Sequence, residues 1–182
     1  MRLSLLVLSA CLLLGLAYFL LWPSLDIEQL DKRGRSALSR AAESGDVVQL
    51  KQLLAQGAQV NQRDLCQWTP LLHAALNGRT EVIHYLLKHG AAVNAVDKGG
   101  YSALMLAASN NHVQSIVYLE AKGADLNLQD DSMGWTALIW AVKQGHQDAM
   151  TALFALEADA SLTDHESKTV YDWIRAGSLE PE

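Results

Sequence analysis

Hydrophobic positions along this chain follow two regimes. From Leu3 to Trp22 no charged residue interrupts them, and from Ala37 onward they recur at helical spacing in short blocks separated by polar turns. At about 1.5 Å per helical residue the first run reaches roughly 30 Å, the hydrocarbon thickness of a bilayer, so it predicts one membrane span. Tyr18 and Trp22 sit towards its end, where amphipathic rings favour the headgroup layer, and Pro23 follows as a stop. In the second regime Val47, Leu50, Leu53 and Leu54 share one helical face, as do Val82, Ile83, Leu86 and Leu87. Each block has one face to bury and is too short to bury it alone.

The blocks are copies of one unit. Asp31, Asp64 and Asp97 recur every 33 residues, and Asp131 continues the series after one inserted residue. The segments opening the first helix of each unit read Ser36-Ala37-Leu38, Thr69-Pro70-Leu71, Ser102-Ala103-Leu104 and Thr136-Ala137-Leu138. A hydroxyl residue stands where an N-cap must satisfy orphan amides, followed by proline or a good helix former. Small pairs come next at Ala41-Ala42, Ala74-Ala75, Ala107-Ala108 and Ala141-Val142, which lets neighbouring helices approach closely. The first helix closes at Gly45, Gly78, Asn111 and Gly145, residues that tolerate the left-handed cap conformation. The second helix ends in Gly57-Ala58-Gln59-Val60-Asn61, Gly90-Ala91-Ala92-Val93-Asn94 and Gly123-Ala124-Asp125-Leu126-Asn127.

From Asp31 to about Ala176 these motifs closely resemble the ankyrin-repeat family, and a period of 33 residues is that family's period. The resemblance implies an all-α repeat solenoid, with a helix–turn–helix pair and a β-turn finger in each repeat, that binds partner proteins along its concave side. The expected organisation is an N-terminal signal-anchor or transmembrane segment at 1–22, a linker at 23–30, four ankyrin repeats at 31–63, 64–96, 97–129 and 130–163, and a truncated C-terminal cap at 164–182. Arg35, Arg40, Glu43 and Gln49 make the first unit read as the opposite cap. Two departures from the family pattern matter. The family's histidine after Thr-Pro-Leu is replaced by Ser39, Leu72, Met105 and Ile139, so apolar packing is expected to substitute for its hydrogen bonds. In the fourth unit Glu157 replaces the cap glycine and Ser161 the asparagine, so a looser edge is expected there.

In this family the variable positions face the partner. The position before each Ser/Thr holds Arg35, Trp68, Tyr101, Trp135 and Lys168, an aromatic ladder flanked by cations. Leu65, Leu76, Asn77, Ser109, Asn110, Met133, Lys143 and Gln144 are expected to line the same groove. Tyr, Trp and Arg dominate interface energetics, so the ladder is the candidate contact strip. The rings could instead simply pack against the next finger. Replacing Trp68 and Trp135 by alanine is expected to leave the thermal unfolding midpoint nearly intact while abolishing capture of the partner; a collapsed midpoint would show that the rings are core. His73 and Trp140 share one helical position and read as packing at the edge of the core.

Charge and chemistry narrow the function. A formal net charge of −6 opposes a nucleic-acid partner, because phosphate binding draws on Lys and Arg. No Gly-x-Ser-x-Gly, His-Glu-x-x-His, phosphate-binding glycine loop or Cys-x-x-Cys appears, so a non-enzymatic chain without cofactor, metal or small-molecule substrate is expected. His84 and His89 are five apart and do not share a helical face as a metal pair would. Cys66 reads as a small inert hydrophobe, with oxidation open to it if it is exposed. The expected role is a membrane-tethered adaptor for a partner protein. The alternative is an inhibitor or immunity protein that occludes a partner enzyme or toxin.

The first segment leaves three fates open: a retained anchor, a cleaved signal at Gly15-Leu16-Ala17, or lipidation at Cys11 in Leu8-Ser9-Ala10-Cys11. Arg2 precedes the run while Asp26, Glu28 and Asp31 follow it, which by the positive-inside tendency places the repeats outside the cytoplasm; Lys32, Arg33 and Arg35 run against that assignment. The pattern is similar to small bacterial membrane-anchored or periplasmic ankyrin proteins. It implies an inner-membrane anchor with the repeats in the periplasm, or a soluble periplasmic or lipidated form after cleavage.

Overall fold

The computed structural model describes residues 29–178. The expected span at 1–22, with its alternatives at Cys11 and Gly15-Leu16-Ala17, lies outside the described residues. Among the described residues no helix is long and apolar enough to cross a membrane.

Helices come in pairs: α1 Ala37–Ser44 with α2 Val47–Ala55, α3 Pro70–Leu76 with α4 Thr80–Lys88, α5 Ala103–Ala108 with α6 Val113–Glu120, and α7 Ala137–Lys143 with α8 Gln147–Ala155. A single short helix, α9 (Val170–Trp173), runs into a wide turn at Ile174–Ser178. First helices stack on first helices (α1, α3, α5, α7, α9) and second on second (α2, α4, α6, α8), giving two rows. Among the described residues there is no strand, only an isolated antiparallel bridge between Val96 and Ser102.

The N-caps form as their hydroxyls dictate. Ser36, Thr69, Ser102 and Thr136 side chains accept from the amides of Ser39, Leu72, Met105 and Ile139 at 3.1, 3.4, 3.3 and 3.3 Å. The small pairs sit fully inside: Ala42, Ala74, Ala75, Ala107, Ala108, Ala141 and Val142 are all at 0% exposure, so the two rows meet without gaps. Leu72, Met105 and Ile139, at the family's histidine position, are buried, and Ser39 Oγ lies 3.2 Å from Ser36 Oγ.

Apolar packing is only half of what substitutes for the missing histidine. The residue opening each later second helix donates back to the end of the preceding repeat's first helix: Arg79 Nε to Glu43 O at 3.3 Å, His112 Nε2 to Leu76 O at 3.0 Å and His146 Nε2 to Ser109 O at 3.1 Å. These bonds satisfy helix C-terminal carbonyls that lack intrahelical partners. Gly78 makes the close approach possible, because a Cβ there would lie 2.5 Å from His112 Nδ1 and its φ is +62°. Asn111, at φ 57°, takes the corresponding place one repeat on and uses its side chain, Oδ1 accepting from the Ala149 amide at 3.0 Å.

A second set of clamps joins the outer loops. Asn61, Asn94 and Asn127 each accept, through Oδ1, an amide of the next repeat (Ala92, Asp125 and Asp159) at 2.9 Å. Ser161 has no such neighbour to reach; its hydroxyl turns back to Asp159 Oδ1 at 2.6 Å. Glu157 adopts φ 63° where Gly57, Gly90 and Gly123 stand at 85–86°, so the left-handed cap is kept with a side chain on it.

The structure corrects one position of the periodic series. Asp130, 2% exposed, occupies the place of Asp31, Asp64 and Asp97, whereas Asp131 is exposed at the finger tip. The inserted residue lies inside the finger, between Asp130 and Trp135, and leaves the helices in register.

Candidate binding groove

Each finger is organised by its aspartate. Oδ1 of Asp31, Asp64, Asp97, Asp130 and Asp164 accepts two amides of its own turn at 2.8–3.0 Å, for example those of Cys66 and Trp68 on Asp64. Neighbouring tips are then tied by backbone bonds: Leu65 N to Arg33 O at 3.1 Å, Lys98 N to Cys66 O at 3.4 Å, Asp131 N to Gly99 O at 2.9 Å and His165 N to Met133 O at 2.9 Å.

Oδ2 is where the ladder enters. Trp68 Nε1 donates to Asp97 Oδ2 at 2.8 Å, and Trp135 Nε1 to Asp164 Oδ2 at 3.2 Å, so each indole grips the finger after its own. A second donor comes from the helix below: His73 Nε2 lies 3.0 Å from Asp64 Oδ2, Trp140 Nε1 donates to Asp130 Oδ2 at 2.9 Å and Trp173 Nε1 to Asp164 Oδ2 at 2.9 Å. Sequence reasoning placed His73 and Trp140 at the core edge and missed this role. The signal was present, since an N–H-bearing ring recurs nine or ten residues after the finger aspartate at 64, 130 and 164. Tyr101 differs: its hydroxyl lies 3.4 Å from Ser132 Oγ and its ring 5.5 Å from that of Trp140.

Trp68, Tyr101 and Trp135 are therefore half-buried rings that serve the fold and still reach the surface. The indole bonds change the direction of one expectation: replacing Trp68 and Trp135 by alanine now predicts a lower unfolding midpoint. Arg35 is also committed within the chain. Its guanidinium holds Asp31 Oδ2 at 2.8 Å and pairs with Glu43, while Arg40 Nη1 donates to Arg35 O at 2.9 Å. Lys143 and Lys168 lie over the Trp173 ring at 3.8 and 4.2 Å from its centroid, and Lys143 is 5.2 Å from that of Trp135. Asn77, Ser109 and Asn110 donate to carbonyls of their own helix ends, His73 O and Leu106 O, at 2.9–3.1 Å. Met133 is half-buried, Gln144 is exposed, and Leu65 is 65% exposed.

Electrostatics follow from this geometry. The Arg35 amide, then the Arg33 amide and the Arg35 guanidinium, hold the Asp31 carboxyl down to about 2 against partial desolvation. For Asp164 burial pushes upward, but the Lys168 amide, the Trp173 indole, the Glu166 amide and the Trp135 indole together carry the net shift downward. Lys168 is raised, first by its bond to Glu166 at 2.7 Å.

One cleft of about 510 Å³ opens between the first two fingers and the helices beneath them, with Leu65, Trp68 and Leu76 among its walls. Cys66 lines it as an exposed free thiol, the condition under which oxidation is open to it. Among the described residues no buried side-chain nitrogen or oxygen lacks a hydrogen-bond partner.

The family model described as "Ankyrin repeats (3 copies)" matches residues 7–97, 38–130 and 92–164, overlapping stretches that together cover well over half of the chain. No curated protein matches it. Repeats of this kind are generic protein–protein interaction modules and are typically non-catalytic. With stacked helix pairs, fingers tied by aspartate and a family match across the repeats, this chain belongs to the ankyrin-repeat family.

Proposed function

We propose that this chain is a non-catalytic adaptor that holds a partner protein in the groove between its fingers and its first-helix row, tethered to the bacterial inner membrane through residues 1–22 with the repeats in the periplasm. The observation that carries the binding reading is the exposed apolar side chain of Leu65, beside the half-buried Trp68 and Leu76, on a scaffold in which every buried side-chain nitrogen and oxygen among the described residues has a hydrogen-bond partner. Such a surface has contact area to offer a partner. Support for the tether is the uncharged run from Leu3 to Trp22, with Arg2 before it and Asp26, Glu28 and Asp31 after it.

Photo-crosslinking in the native cell tests the groove. A benzophenone residue at 76, 109 or 144 is expected to capture one partner, and the same residue at 48 or 117 on the second-helix row none. Capture from the outer positions alone, or turnover by the purified chain, ends the proposal. Carbonate extraction tests the tether, and the mature mass separates retained, cleaved and lipidated forms. A one-to-one complex that dissociates over hours would move the reading to the alternative, an inhibitor or immunity protein; an adaptor can work at micromolar affinity.

A further inference from the structure

The cleft at the first two fingers differs in charge from the rest of the chain. Its floor is apolar, with Leu65 65% exposed beside Trp68 and Leu76. Its rim carries Lys32 and Arg33, both exposed and in no ion pair among the described residues. The acidic groups lining it are already engaged: Glu43 by Arg35, and Asp64 by two amides and His73. Further along the finger row the tips carry both signs: Lys98 on the third finger, Asp131 on the fourth, and Glu166 bonded to Lys168 on the last. On a chain of net charge −6, a cationic rim over an exposed leucine is a local reversal, and it discriminates by charge.

We infer that this cleft takes a partner segment in which acidic and apolar side chains alternate. The inference rests on the protein-binding reading of the groove and names the chemistry recognised at one end of it. In an extended segment successive side chains point to opposite sides. An apolar side chain then covers Leu65 and Leu76 while its carboxylate neighbours reach the rim at Lys32 and Arg33. The rim charges steer and select, and the apolar contact keeps the segment seated once salt screens the charges over about 8–10 Å.

The test uses the full chain in phosphatidylcholine nanodiscs and a fluorescein-labelled heptapeptide alternating glutamate and leucine, read by anisotropy. Expected is saturable binding that weakens with added salt, and binding at least about tenfold weaker for peptides alternating lysine and leucine or glutamate and serine. Lys32→Glu with Arg33→Glu, and separately Leu65→Ser, should each weaken binding about tenfold. All three positions are exposed, so the thermal midpoint should stay in place. Equal binding of the lysine peptide, or indifference to the charge reversal, overturns the inference. Displacement of the peptide by phosphatidylglycerol vesicles would make the occupant a membrane surface. A tenfold gain in a variant with Asp26 and Glu28 replaced by serine would make it the chain's own preceding residues. Either result also overturns the assignment to a partner. If crosslinking still captures a partner at 109 and 144, the adaptor reading stands and only this inference falls.

Discussion

Each finger aspartate uses both carboxylate oxygens: Oδ1 accepts two amides of its own turn, and Oδ2 holds another side chain. Charged acceptors strengthen such bonds, which makes them sensitive to acid. Asp31 is held at about 2, and Asp164 is also below the usual carboxylate value of 3.8. A carboxyl depressed on folding contributes stability that is complete above its unfolded pKa and is lost as pH falls through the folded one. The contribution of these two aspartates is therefore constant above about pH 4 and declines as the pH falls below it, for Asp31 towards about pH 2. Urea unfolding followed by tryptophan emission should show that decline, and Asp164→Asn should make it shallower; an unchanged slope would remove Asp164 from the account. Backbone strain is the second residue-scale feature. Gln67 and Glu157 hold φ of 65° and 63°, a left-handed conformation that L side chains adopt at a penalty of roughly 1–2 kcal/mol. Glycine removes that penalty but loses more entropy on folding, so Gln67→Gly and Glu157→Gly should each stabilise by about 0.5–1 kcal/mol in urea melts. Asn111→Gly should gain nothing, because Asn111 Oδ1 holds the Ala149 amide.

At the scale of the element, each finger is a turn that cannot hold its shape alone and is fixed by what approaches from the next finger and from the helix below. Donors are distributed unevenly. Asp164 Oδ2 accepts from both Trp135 and Trp173, whereas Trp68 is the one side-chain donor to Asp97 Oδ2 among the described residues. Trp68→Phe keeps an aromatic face but removes the five-membered ring and its N–H, leaving a half-buried carboxylate oxygen without its partner. It should cost about 1.5–3 kcal/mol, the range for hydrogen bonds to charged groups, with Trp135→Phe costing less. Equal losses would mean that the indoles act through packing alone. Second helices enter the stack by a related device: Arg79, His112 and His146 bond the carbonyl ends of the preceding repeat's first helix, so each repeat caps the one before it.

Across the whole molecule, the two helix rows make stability additive along one axis, since each repeat touches only its neighbours. Interior repeats have interfaces on both sides, while α9 has one and is only four residues long. Hydrogen exchange should therefore be slowest in α3 to α6 and fastest in α9 and the turn after it, and uniform protection would contradict a one-dimensional stack.

The helix pairs, their caps and closing glycines, the family and the period are legible along the chain, because they depend on local backbone preference and on one buried face repeated at fixed spacing. The positions of the ladder along the chain were also legible, as was the acidic balance that opposes nucleic acid. Which atoms those residues spend on the fold depends on contacts that form only once the repeats stack. Asp130 rather than Asp131 anchors its finger because the inserted residue falls inside the turn, and a one-residue shift there leaves no trace in helical periodicity. Arg35 looked outward until the fold brought Asp31 and Glu43 to its guanidinium. Trp68 and Trp135 read as contact residues from composition, yet their N–H groups cross the gap to the next finger. Those directions are set by how one repeat sits on another, a distance of about 29 residues along the chain and 3 Å in space.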